Sequence, residues 1–143
     1  MVKYLLISWL YILSMFECLT VSTNLYAMYR YEEKAIGRDF LQWLGPQHKG
    51  TLSEGRLFCL WLSFLGVIRF AVAWDHFQNA SLRKLNTVIH VLETIWILFE
   101  YYLWSRRVRR SLFSVIVDSK IAPVILVICF NAVLFVCADA YLK

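Results

Sequence analysis

Few side chains in this chain have chemical capacity, and most of those sit in apolar surroundings. Arg69 is the only charged residue between Leu57 and Trp74. A stretch of that length reads as a membrane span, and a guanidinium inside a span is costly unless it pairs, faces a wet cavity or reaches back to the lipid headgroups. Glu17, Glu93, Glu100 and Asp139 are acidic residues in comparable settings. His90 and Glu93 are three apart and Glu100 is seven beyond Glu93, so on a helix these three share one face. Such a set can form ion pairs or a proton relay. A di-iron bundle needs two Glu-x-x-His pairs and two further carboxylates, whereas His90-Val91-Leu92-Glu93 is one reversed pair. Cys18, Cys59, Cys129 and Cys137 lie in apolar stretches without a C-x-x-C spacing and read as packing residues. There is no glycine-rich phosphate loop and no Ser/His/Asp set that spacing recommends. The expectation is a protein without catalysis, metal or cofactor.

The elements that must carry these residues follow from composition. The chain has 143 residues, 60% hydrophobic and 17% charged, too apolar for a soluble domain of this size. Four stretches are long enough to cross a bilayer as helices: about 4–26, 57–74, 88–104 and 121–142. The fold expected is all-α, a single membrane domain over residues 1–143 built as a four-helix bundle with both termini on the same side. Lys3 before an apolar run resembles a secretory signal, but Glu17 and the bulky Trp9, Tyr11 and Phe16 argue that the first stretch stays as a span.

Lysine and arginine set the orientation. Arg30, Lys34, Arg38, Lys49 and Arg56 lie between spans one and two, and Arg106, Arg107, Arg109, Arg110 and Lys120 between spans three and four. Only Lys3, Arg83, Lys84 and Lys143 lie on the other side. The two long loops are therefore expected in the cytosol or matrix. Arg106, Arg107, Arg109 and Arg110 are expected at anionic headgroups. With these charges tight against spans and no soluble reading domain, nucleic acid is not an expected partner; lipids and other integral membrane proteins are. Residues 30–56 mix charges with Phe40, Leu41, Trp43 and Leu44 before Gly45-Pro46, which fits either a short interfacial helix and turn or a polar connection with anchoring aromatics. Asn79-Ala80-Ser81 is a glycosylation sequon expected to be unused so close to the spans.

Depth nominates partners for the intramembrane charges. Spans two and three run antiparallel; Arg69 lies five residues before Trp74 and Glu93 five after Val88, so these two are expected to be level and bonded. Glu100 lies nearer the cytosolic surface, close to the depth of Glu17. Asp139 is near enough to the far surface to be solvated.

Arg56-Leu57-Phe58-Cys59-Leu60-Trp61, with Val67-Ile68-Arg69-Phe70 and Ala73, resembles the signature span of the ergosterol biosynthetic protein twenty-eight family, the scaffold of sterol C-4 demethylation. The matching positions are Arg56, Phe58, Trp61, Ile68, Arg69 and Phe70. Glu100 with its aromatic surroundings is similar to a Ser-Glu-Leu in that family's next span, Phe99 standing where the serine would be, and Ala122-Pro123 is similar to the start of its last span. The chain departs from the family at Glu17 and Thr20, where a polar Asn/Gln pair is expected, at Trp96, where a histidine is expected, and in a longer loop around Arg106 to Arg110. The resemblance implies a non-catalytic tether for an oxidase, a dehydrogenase/decarboxylase and a reductase at the endoplasmic reticulum. Two alternatives stay open from the residues themselves. One is an accessory subunit of a large respiratory-type or ATP-synthesising complex in the mitochondrial inner membrane. The other is a small transporter or proton conductor using Glu17, Glu93 and Glu100 as a relay.

Overall fold

A computed structural model describes residues 2–30, 52–119 and 122–141. Every regular element among them is helical: α1 Val2–Arg30, α2 Leu52–Trp74, α3 Ala80–Val108, the short α4 Leu112–Val117 and α5 Ala122–Tyr141. The expected interfacial segment at Phe40 to Pro46 lies outside the described residues.

Three of these helices are long and apolar enough to cross a membrane, over Val2–Tyr26, Gly55–Trp74 and Ala122–Tyr141. The expected fourth span at 88–104 is not among these three, because α3 does not reach the same apolarity. Its 29 residues exceed the length needed. Asn86, Thr87, His90, Glu93, Thr94 and Glu100 dilute it.

The described residues through Asn86 form one compact unit and those from Thr87 onward a second. In the first, α1 and α2 pack together. The buried positions Ile7, Leu10, Ser14 and Glu17 recur at spacings of three and four, the seam of a tightly packed helix pair. Facing them are Leu65, Ile68, Arg69 and Val72 of α2. The ring of Tyr11 meets that of Phe70 edge-on at 5.6 Å.

Residues 75–79 close α2 and start α3. The Phe77 N–H donates to Val72 O at 3.2 Å, and His76 and Phe77 both take positive φ, 51° and 59°, which ends the helix in a left-handed turn. Asn79 then caps α3, its Oδ1 accepting from Ser81 N at 2.9 Å and Leu82 N at 3.2 Å. The sequon asparagine is thus a helix cap.

The second unit has Ile97, Tyr101, Val115 and Ile125 at its centre. Thr87 Oγ1 donates to Phe135 O and Thr94 Oγ1 to Ile128 O, each at 3.3 Å, so α3 and α5 run antiparallel. Arg109, at φ 54°, breaks the chain away from α3, and Ser111 caps α4 by accepting from Ser114 N at 3.2 Å.

Candidate functional site: a buried ion pair between α1 and α2

Two short motifs face each other in the first unit, Ser14-x-x-Glu17 on α1 and Gly66-x-x-Arg69 on α2. Ser14 Oγ donates to Gly66 O at 2.9 Å across the helix pair. The backbones approach closely at Gly66, because a Cβ there would lie 3.4 Å from Glu17 Oε2 and 3.7 Å from Ser14 O. The carboxylate of Glu17 forms an ion pair with the Arg69 guanidinium. Glu17 is only 4% exposed and Arg69 5%. Either charge would be costly this far from water without a counter-charge beside it.

Glu17 on α1 is a partner of Arg69 that span-end counting did not nominate, while Glu93, which it did, lies in the other compact unit. The reason is the direction of side chains. Ser14 opposite Gly66 and Tyr11 opposite Phe70 put Glu17 at about the level of Ser63, six residues from Arg69 or roughly 9 Å along the axis. Helical side chains lean toward their own N-terminus. In an antiparallel pair those leanings are opposed, so Glu17 and Arg69 converge from both ends of the gap. Counting backbone positions treats each side chain as level with its Cα and misses this.

The remaining nominated residues separate. Ile68 is buried, Phe58 and Trp61 are half-buried, and Arg56 and Phe70 are exposed. In the second unit His90 is fully buried, its ring stacked on that of Phe135 at 4.6 Å and 10°, with Nδ1 3.8 Å from Glu93 Oε2. Glu100 is half-buried on the same helix and makes no ion pair among the described residues. Asn131, a residue sequence reasoning did not single out, is buried on α5. Its signal was available: an amide in an otherwise apolar stretch. Arg106, Arg107, Arg109 and Arg110 are exposed, and Arg110 is tied to Asp118.

The middle of α3 sorts its residues by polarity. Val88, Leu92, Ile95, Trp96, Phe99 and Leu103 are exposed, while Asn86 and His90 are buried and Thr87, Glu93 and Thr94 are shielded in part. No group of three or more His, Cys, Asp or Glu side chains able to hold a metal is found among the described residues. The arrangement can hold helices together. No protein-family model, curated protein or solved structure matches this chain.

Proposed function

We propose that this chain is a non-catalytic membrane scaffold, a four-span helical bundle with both termini on one side that holds sterol C-4 demethylation enzymes together at the endoplasmic reticulum. The observation that carries the scaffold reading is the Glu17–Arg69 pair. The most unusual charge in the chain is consumed in joining α1 to α2, which is what a structural element requires and a reaction centre does not. Glu17 would be the first carboxylate of a proton relay, and its engagement by Arg69 argues against that use. The sorting in the middle of α3 supports the fourth span: averaged over its length α3 is too polar, but between Asn86 and Leu103 it exposes mainly apolar side chains while Asn86 and His90 are buried and Glu93 and Thr94 shielded in part, as in a helix between lipid and a bundle. The sterol assignment rests on the resemblance of residues 56 to 73, whose Ile68 and Arg69 both lie in the packed interior.

The mechanism would be proximity. Tethering successive enzymes raises the effective concentration of each poorly soluble intermediate for the next. The departure at Glu17, which places a full charge where the family has amides, favours a second reading: an accessory subunit of a large membrane complex, for example in the mitochondrial inner membrane. Affinity purification of the full chain in mild detergent decides between them. The scaffold reading expects sterol C-4 demethylation enzymes in the eluate and C-4-methylated sterols in cells lacking the chain. Recovery of respiratory or ATP-synthesising subunits overturns it in favour of the second.

A further inference from the structure

We infer that α4 is an amphipathic anchor that lies in the bilayer surface and recognises anionic phospholipid. On this six-residue helix Val115 is buried against Tyr101 and Ile125, and Tyr101 Oη shares a 2.8 Å hydrogen bond with Ser119 Oγ, so its roll about its own axis is fixed. Phe113 and Val117, one turn apart, then face away from the protein, 78% and 57% exposed. A phenyl ring and a valine turned outward by a docked helix are unfavourable in water and favourable in the acyl boundary.

Connectivity supplies the occupant. The apolar helix α5 begins at Ala122, five residues after Val117, so α4 is tethered beside the point where α5 enters hydrocarbon. Charge gives the lipid class. Arg106, Arg107, Arg109 and Arg110 precede α4, against the single acid Asp118. Arg110 is held along the surface of the helix, its Nη2 donating to Ser114 Oγ at 2.6 Å and to the Asp118 carboxylate. Arg106 and Arg109 are assigned to the headgroup phosphates, and Arg110 to bracing α4. This division goes beyond a generally basic loop, and it depends on membrane insertion of the chain but not on the sterol role.

The full chain in lipid nanodiscs, where both faces meet water, tests it. Phe113→Cys should react with a membrane-impermeant maleimide far more slowly than Gln78→Cys, in nanodiscs containing phosphatidylglycerol. After passage through mixed phosphatidylcholine–phosphatidylglycerol nanodiscs, the wild-type chain should retain phosphatidylglycerol in preference. R106Q and R109Q should each lower that preference about fivefold, the change equivalent to ~1 kcal/mol per basic residue near a charged surface. R110Q should leave it within twofold. Equal labelling of Phe113→Cys and Gln78→Cys in a chain that resists alkaline extraction, or an unchanged lipid preference in the double variant R106Q/R109Q, overturns the inference. A chain released by alkaline extraction overturns the membrane reading as well.

Discussion

Replacing Glu17 by glutamine removes the counter-charge that α1 supplies to Arg69 in an apolar interior. A guanidinium keeps its charge at any accessible pH, so it cannot escape the cost by losing a proton. The reverse change, Arg69→Met, leaves a carboxyl group that can be neutralised by a proton, and is therefore milder. Breaking a buried pair costs about 3–5 kcal/mol in soluble interiors, whereas polar contacts between membrane helices average about 0.6 and reach about 1.7 kcal/mol. With both side chains nearly inaccessible, 6% and 5% exposed, the loss for Glu17→Gln falls between those ranges, at about 2 kcal/mol. Arg69→Met is expected to lose about 1 kcal/mol by the same reasoning. The double variant should recover part of the loss, because neither charge is then stranded. Reversible unfolding in mixed micelles, with the double-mutant cycle completed, measures all three. Strict additivity, or a loss below about 0.5 kcal/mol for Glu17→Gln, would refute the compensation reasoning.

Gly66→Ala should be tolerated or slightly stabilising, since its Cβ meets Glu17 and Ser14 at ordinary contact distances, 3.4 to 3.7 Å, and alanine gains about 1 kcal/mol of helix propensity. Gly66→Leu should separate α1 from α2 and approach the loss of Glu17→Gln; equal stability of both variants by the same unfolding measurement would contradict the close approach. Asn79→Ala should cost about 1 kcal/mol through the lost α3 cap and Asn79→Asp much less, as thermal unfolding in detergent would register. Cysteines at Gly50 and Ser111 should be labelled from the cytosolic or matrix side and one at Gln78 from the other. Labelling of Gln78 and Ser111 from the same side would remove α3 as a span.

Three of the long helices were legible in the chain because crossing a bilayer demands only length and apolarity, both of which are one-dimensional. The left-handed turn at His76-Phe77 was not, since no glycine or asparagine stands at either position and phenylalanine does not advertise positive φ. Which face of each helix turns inward was equally closed to periodicity. In lipid the outside of a helix is as apolar as its inside, so Leu10 at the centre of the α1 seam and Leu19 on its exposed side are the same residue in the sequence. Only the polar residues marked the interior: Ser14, Glu17, Arg69, His90 and Asn131, each too costly to leave in hydrocarbon. The sequence by itself therefore determined that Arg69 needs a partner. That the partner includes Glu17 was decided by tertiary structure, because the close approach at Gly66 and the opposed lean of antiparallel side chains bring together groups whose backbone positions are not level.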